Sequence, residues 1–231
     1  MTESGLTEAV RFDTMTLGSE NGGVYMENEI ICREYRTREL DSMTELLCRA
    51  GGYEKMLPAD TAQAAAKVDL LGALITATFI RVAEKEGKPV GFLIGSFDVN
   101  TVNMACVQQI MAAKAILGKK KFSGTEASLY KKLDSLNLKL LKKCRNTYES
   151  ELSLFVLAEE ERGKGVGKEL YSAFLAHLRE SSKKKFYLKA DSRIDGSVYE
   201  RFGMKKKETE KTGLLFKKSM QAEVSVYEGE A

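Results

Sequence analysis

The segment that most constrains the fold of this chain joins an apolar strand to a helix through a turn rich in glycine. Residues 152–157 (LSLFVL) are almost continuously apolar, as in a strand that is buried on both faces of a sheet. An amphipathic helix is predicted from about residue 165 to 182, because its apolar residues recur three or four apart. The turn between them holds Arg162, Gly163, Lys164, Gly165, Val166 and Gly167.

The chemistry of this junction favours the binding of an anion. The first backbone amides of a helix have no partner within the helix, and they lie at the positive end of its dipole. Glycine lets the backbone approach a phosphate closely, where a side chain would collide with it. We therefore expect a phosphate-bearing ligand at the start of this helix.

Two common phosphate-binding patterns do not fit the turn. The P-loop pattern requires Ser or Thr after a Gly-Lys pair, but here Glu169 follows Lys168. Arg162 also occupies the position of the first P-loop glycine. The dinucleotide pattern G-x-G-x-x-G requires a third glycine where this chain has Lys168. The pattern that remains is R-x-x-G-x-G.

The chain resembles the GNAT acetyltransferase superfamily in this turn and in a second segment. Arg162, Gly165 and Gly167 match motif A of that family, which cradles the pyrophosphate of coenzyme A. Residues 198–204 (VYERFGM) look like the family's YE-x-x-GF segment, with Phe202 and Met204 as conservative variants. The resemblance covers residues 150–220.

This resemblance and the periodicity of the chain together predict a mixed α/β fold. We expect a twisted, mostly antiparallel sheet that is parallel in its middle, with helices on both faces and a helical insertion at about 100–145 between the third and fourth strands. Two further helices begin near Thr37 or Asp41 and at Asp60, a short helix covers 196–202, and turn residues at 86–89 indicate a hairpin. The predicted strands cover residues 30–35, 79–85, 90–97, 152–157, 186–190 and 214–220.

Length and composition bound the domain organisation and exclude several classes of function. For a chain of 231 residues, we expect a flexible leader over residues 1–27 and a single domain over residues 28–231. The net charge of +3 is too small to indicate a nucleic-acid partner. The four cysteines are scattered and the only histidine is His177, so neither a metal site nor a disulfide framework is expected. Without a signal peptide or a membrane-spanning run, the sequence predicts a cytoplasmic protein with no membrane partner.

The resemblance implies acetyl-CoA as co-substrate and a direct attack by an amine on its thioester. Residues 162–168 (RGKGVGK), which end at Lys168, would bind the pyrophosphate. The backbone of Phe155, Val156 and Leu157 would pair with the pantetheine arm like an added strand, and a bulge there would direct one amide at the thioester oxygen.

Tyr199 matches the family's tyrosine that protonates the coenzyme A sulfur, although its ring could instead only pack beneath the cofactor. Glu151 is the candidate for the base that accepts the amine proton, with Ser153 and Asp191 as alternatives. Asp195 stands where many relatives carry Asn, which leaves a ligand contact there open.

The acceptor is predicted only as an amine on a small molecule or a protein, and an acyl group larger than acetyl remains open. Homodimers are common in the family, so a homodimer also remains open. The alternative function is a module that binds acyl-CoA without turnover, as a sensor or scaffold. Residues 114–145 hold ten basic residues, which predict the solvated face of a packed helix or, alternatively, a cover over the acceptor site or a contact to the adenosine end of coenzyme A.

Overall fold

The computed structural model describes residues 30–55, 57–97, 103–119, 125–145, 147–191, 194–211 and 223–231. Its helices are α1 (Leu40–Ala50), α2 (Ala59–Ile75), α3 (Met104–Lys119), α4 (Thr125–Arg145), α5 (Val166–Glu180) and α6 (Ser197–Arg201). Its strands are β1 (Ile31–Glu34), β2 (Phe79–Lys85), β3 (Lys88–Ser96), β4 (Ser150–Leu157), β5 (Lys185–Asp191), β6 (Lys205–Lys211) and β7 (Glu223–Glu230).

The strands form one sheet in the order β1-β2-β3-β4-β5-β7-β6. Every neighbouring pair is antiparallel except the central pair of β4 and β5, which is parallel. The structure therefore confirms the predicted fold class, and it places the apolar strand in the middle of the sheet, where both of its faces are covered. Helices α3 and α4 lie between β3 and β4 in the chain, as predicted for the insertion.

The sheet separates two hydrophobic cores. The core on one face, here called the insertion-side core, is formed by α1, α2, α3 and α4 with residues such as Leu70, Phe92, Leu140 and Tyr187. The core on the other face, here called the α5-side core, holds the buried side of α5 with residues such as Leu93, Phe174, Phe186 and Tyr199. Helices thus cover both faces of the sheet. Among the long helices that the structure describes, α5 is the only one that lies on the face of the α5-side core.

The hairpin turn is shorter than the predicted turn over 86–89. Glu86 and Gly87 alone connect β2 to β3, and both have positive φ, 52° and 77°. A two-residue turn of this kind matches the twist of the flanking strands, which lets β3 begin at Lys88. Pro89 stands opposite Glu84, next to the place where the register shifts between Ala83 and Glu84, and bulges are among the positions where a sheet tolerates proline.

The last two strands were not predicted. The predicted strand over 214–220 lies outside the described residues, as does the leader over 1–27. Strand β6 (KKKETEK) carries no apolar pattern, and its pairing with β7 is supported by ion pairs from Lys206 and Lys211 to Glu223. Charged residues are a common device on an edge strand, where they oppose pairing with another chain. Among the helices in the described ranges, none combines the length and the apolar character needed to cross a membrane.

Gly95 on β3 provides a test of how tightly α5 packs on the sheet. A methyl group at Gly95 would lie 2.4 Å from Cε2 of Phe174, a rigid ring in the α5-side core. We expect Gly95→Ala to lower the free energy of unfolding by about 1–3 kcal/mol, measured by urea denaturation, because the ring must shift.

The matched control is Gly72→Ala at an exposed position of α2, where Cδ1 of Ile110 would lie 3.9 Å from the new methyl, an ordinary van der Waals contact. This substitution removes backbone freedom from the unfolded chain, so it should raise the free energy of unfolding by about 0.4–1 kcal/mol. Equal effects at the two positions would contradict the described packing of α5.

Candidate active site

The central strands β4 and β5 form a fork. They pair only at Ser150 with Phe186 and at Glu151 with Tyr187, although β4 continues to Leu157 and β5 to Asp191. Beyond these rungs the two strands separate, so the backbone groups on the facing edge of β4 have no partner strand among the described residues. An open strand edge can pair with an extended ligand through main-chain hydrogen bonds.

A bulge on β4 lies just inside the fork. Leu152 pairs with Gly95 and Leu154 with Ile94, so Ser153 is an extra residue that has no partner on β3. The bulge reverses the alternation of the strand: Leu152 belongs to the α5-side core, whereas Leu154 and Val156 pack on the insertion side. Phe155 and Leu157 then face α5, one on each side of Val156.

The glycine turn follows directly after β4 and leads into α5. Gly163 and Gly165 have φ values of 79° and 89°, in the left-handed region that favours glycine. Gly165 is the N-cap of α5, and no side chain caps the helix there. A methyl group at either position would meet no atom within 4 Å, so the turn is open. No side-chain cap therefore competes with an anion for the first amides of α5, and anion binding there stays a prediction.

The remaining residues of the turn have distinct surroundings. Arg162, Lys164 and Lys168 are exposed cations beside the open amides. Val166 is buried and fixes the helix to the α5-side core. A methyl group at Gly167 would lie 3.5–3.7 Å from Phe155, Leu157 and Phe202, so this glycine brings the helix close to β4 beyond the fork. These amide donors and positive charges are suited to bind an anion such as a pyrophosphate.

Glu161 anchors the turn, although its neighbours Glu159 and Glu160 are exposed. Its side chain is only 4% exposed and accepts hydrogen bonds from Nζ of Lys85 at 2.9 Å and Nζ of Lys164 at 3.0 Å. These bonds hold the pKa of the Glu161 carboxyl below its ordinary value. No sequence pattern predicts this anchor, because Lys85 lies far away in the chain and meets the turn only through the hairpin.

Tyr199 lies on α6, and its side chain is buried in the α5-side core. Its ring centroid is 5.3 Å from that of Tyr227 on β7. Burial above all, together with the negative charge of Asp191, raises the pKa of the Tyr199 phenol. The phenol therefore remains protonated at neutral pH, as a proton donor must be.

Glu151 lies on the opposite side of β4, toward the insertion-side core. The residue is 6% exposed, and its Oε1 accepts a hydrogen bond from Nζ of Lys189 on β5 at 2.8 Å. No motif in the sequence marks Lys189, and only the pairing of β4 with β5 brings it near Glu151. The structure thus separates the two predicted catalytic residues onto different faces of the sheet at the fork.

Three other polar residues, two of them named as candidates from the sequence, have structural partners. Asp195 accepts hydrogen bonds from the backbone and the hydroxyl of Ser197, which lower the pKa of its carboxyl, and so it serves the start of α6. The ring of His177 lies against Phe79 and Phe97, with centroids 5.2 Å and 4.7 Å away. Asp191 is buried near Tyr199.

The basic insertion is tied to the sheet through its lysines. Lys139 of α4 forms an ion pair with Glu210 at 2.8 Å, and Lys143 pairs with Glu208, both on β6. The opposite side of α4 places Leu133, Leu140 and Cys144 in the insertion-side core. This arrangement agrees with the solvated face of a packed helix for the described part of the insertion.

Residues 129–204 match the acetyltransferase (GNAT) family. This match confirms the family resemblance that was inferred from the turn and from residues 198–204. It spans β4, the glycine turn, α5, β5 and α6, which are the elements that build the fork. No curated protein matches the chain.

Solved structures with the same fold include proteins that are named for different activities. SsHAT aligns with a TM-score of 0.58 at 14% identity, over 87% of this chain and 98% of its own. Ribosomal-protein-alanine N-acetyltransferase from Brucella melitensis aligns with a TM-score of 0.50 at 15% identity, over 87% of this chain and 99% of its own. A polyamine N-acetyltransferase of Drosophila melanogaster, which forms N-acetylagmatine, aligns with a TM-score of 0.52 at 15% identity, over 88% of this chain and 100% of its own. At these identities the likeness shows the fold.

The Glu161 anchor predicts a dependence of stability on pH. Since the pKa of Glu161 is lowered from 4.5 in the folded chain, its charged form stabilises the fold above that pH. This stabilisation disappears as the pH falls through the lowered pKa. We therefore expect Glu161→Gln to lower the free energy of unfolding at pH 7, with a difference from wild type that shrinks on acidification.

Urea denaturation of both proteins between pH 3 and pH 7 measures this difference. The control is Glu159→Gln in the same turn, because Glu159 is exposed and pairs with neither lysine in the described residues. If Glu161→Gln lowers the free energy of unfolding by the same amount at every pH, the anchoring role of Glu161 is contradicted.

Proposed function

Residues 129–204 identify an acyltransferase of the GNAT type, and we propose that it transfers an acetyl group from acetyl-CoA to a primary amine by direct attack. The family acts on amine acceptors in general. The observation that carries the proposal is the position of the uncapped, glycine-rich start of α5 at the mouth of the fork, beside the open edge of β4.

The chain offers a separate contact for each part of coenzyme A. The amides of residues 163–167 and the cations Arg162, Lys164 and Lys168 would hold the pyrophosphate. The open backbone edge of Phe155, Val156 and Leu157 would pair with the pantetheine arm. The bulge at Ser153 turns the backbone of β4 out of register with β3, which frees an amide for the thioester oxygen.

Acetyl-CoA would supply the acetyl group as a thioester, whose C–S bond breaks as the new C–N bond forms. Glu151 accepts a proton from the attacking nitrogen, directly or through a water molecule. Tyr199 donates a proton to the leaving sulfur, so the products are an N-acetylated amine and a free thiol. Proton exchange with solvent then returns both side chains to their starting states.

The position of Tyr199 supports a role as donor rather than only as packing. Its phenol is kept neutral by burial and by the charge of Asp191, and α6 places it beyond the C-terminal end of β5, on the side toward which the fork opens. Glu151 lies at the closed end of the fork on the other face of β4. The two residues therefore flank the open strand edge from opposite faces.

The acceptor is proposed only as a primary amine. The Drosophila melanogaster and Brucella melitensis proteins are named for a polyamine and for the alanine of a ribosomal protein. They align with this chain about equally well, so the shared fold favours neither acceptor. A panel of primary amines, covering polyamines, amino acids and peptides, is the appropriate search, with release of free thiol from acetyl-CoA as the signal.

Binding of coenzyme A tests the role of the turn. We expect Gly165→Glu to abolish binding measured by calorimetry, because it places a negative charge beside the phosphates. The matched control is Gly165→Lys, which imposes the same backbone strain at a φ of 89° but adds a positive charge, so it should retain measurable affinity. Unchanged affinity in Gly165→Glu would refute the assignment of the turn.

The proton donor is tested by Tyr199→Phe, which keeps the ring against Tyr227 and removes only the hydroxyl. With the most active amine of the panel, kcat should fall about 100-fold or more while KM for acetyl-CoA changes little. An unchanged kcat would rule out this role for Tyr199. Coenzyme A binding with no turnover on any amine would instead support the non-catalytic, acyl-CoA-binding alternative.

A further inference from the structure

We propose that Lys189 is a positioning residue, which holds the side chain of Glu151 in place at the closed end of the fork. This inference rests on the proposed function, in which Glu151 accepts the proton of the amine. It extends that function by naming the residue that prepares the base, and it follows from the geometry of β4 and β5.

The ion pair stands where the backbone pairing of the two strands stops. Glu151 and Tyr187 form the last rung between β4 and β5. Lys189 is two residues further along β5, on the same face as Tyr187, because side chains alternate along a strand. Its Nζ returns toward the last rung and lies 2.8 Å from Oε1 of Glu151. The side chains thus join the strands immediately beyond their final backbone pair.

Both charges of this pair are shielded from solvent. The side chains of Glu151 and Lys189 are 8% and 13% exposed, respectively. The Nζ atom of Lys189 also lies 5.5 Å from the centre of the Tyr187 ring, within the range of a cation–π contact. A buried charge that loses its partner is strongly unfavourable, so each of the two side chains restricts where the other can lie.

Helix α4 covers the pair from the insertion side. Cys144, which is 4% exposed, lies close enough that the charges of Lys189 and Glu151 both act on its thiol, together with those of Glu208 and Lys143. Burial is the main cause that raises the pKa of this thiol, which marks the surroundings as poor in water. Low solvation strengthens the attraction between Lys189 and Glu151.

Ser96 adds an unused polar atom at the same place. It pairs in register with Glu151 from β3, it is fully buried, and its Oγ has no hydrogen-bond partner among the described residues. Side chains of paired residues share a face of the sheet, so Ser96 and Glu151 lie on the same side. The closed end of the fork therefore contains a cluster of polar side chains, Ser96, Glu151 and Lys189, inside the otherwise apolar insertion-side core.

Lys189 acts through Glu151 and not on the substrate in this arrangement. Its ammonium lies 2.8 Å from Oε1 of Glu151, on the proposed base and not on a substrate group. Its hydrogen bond also fixes the position of Oε1 relative to the open edge of β4. Loss of this bond should therefore slow the chemical step, while the binding of acetyl-CoA at the glycine turn should remain.

The experiment compares Lys189→Met, Lys189→Arg and Glu151→Gln, each alone, with the double variant Glu151→Gln/Lys189→Met. Activity is followed as thiol release from acetyl-CoA with the most active primary amine of the panel. We expect Lys189→Met to lower kcat by about tenfold to 100-fold with little change in KM for acetyl-CoA, and Lys189→Arg to retain most of kcat. In the Glu151→Gln background, Lys189→Met should lower kcat no further.

Urea denaturation of the chain without ligands provides a second readout. Lys189→Met leaves the buried Glu151 charge unpaired and should lower the urea midpoint, whereas the double variant has no unpaired charge and should recover most of the loss. If Lys189→Met alone does not fold, the double variant should still fold and can be tested in its place.

The outcomes separate the two proposals. Additive losses of kcat in the double variant, an unchanged kcat in Lys189→Met, or no recovery of the urea midpoint would each overturn the role of Lys189 while leaving the proposed base intact. Full activity of Glu151→Gln, or no turnover on any amine, would overturn the proposed function and this inference with it.

Discussion

The separation of β4 from β5 is the constraint on which the rest of the site depends. Two parallel strands in the centre of a sheet normally pair along their length, because an unpaired buried amide or carbonyl is costly. Here they pair at two positions only, and the open edge of β4 needs another partner. A ligand with its own amides, such as the pantetheine arm of coenzyme A, can provide these hydrogen bonds. The fork is thus both a defect of the sheet and the proposed cofactor site.

The two cores explain how the fork can persist. On the insertion side, Val156 and Tyr187 pack beneath the helices, and on the other side Phe155 and Leu188 pack near α5. Each strand is therefore held by its side chains even where its backbone is not paired. The bulge at Ser153 is part of this arrangement, because it moves Leu152 to the α5-side core while Leu154 remains on the insertion side.

Buried carboxylates with lysine partners recur at both ends of the fork. Glu161 accepts hydrogen bonds from Lys85 and Lys164 beside the glycine turn, and Glu151 accepts one from Lys189 at the closed end. In both cases the lysine balances a negative charge that would otherwise be buried alone. Near the turn, this balance would also reduce the repulsion between the carboxylate and the phosphates that are proposed to bind there. Near the closed end, the hydrogen bond from Lys189 holds the carboxylate in place.

The sequence by itself determined the local elements of the site. The apolar run of β4, the glycine turn, the helix that follows and Tyr199 are all encoded in short segments, where periodicity and glycine position have direct structural meaning. Only the tertiary structure decided that Lys189 meets Glu151, that Lys85 and Lys164 enclose Glu161, and that the charged strand β6 pairs with β7. Apart from the local contact of Lys164 with Glu161, these contacts join segments that are separate in the chain, and their charges follow no period, so only the register of the sheet brings them together.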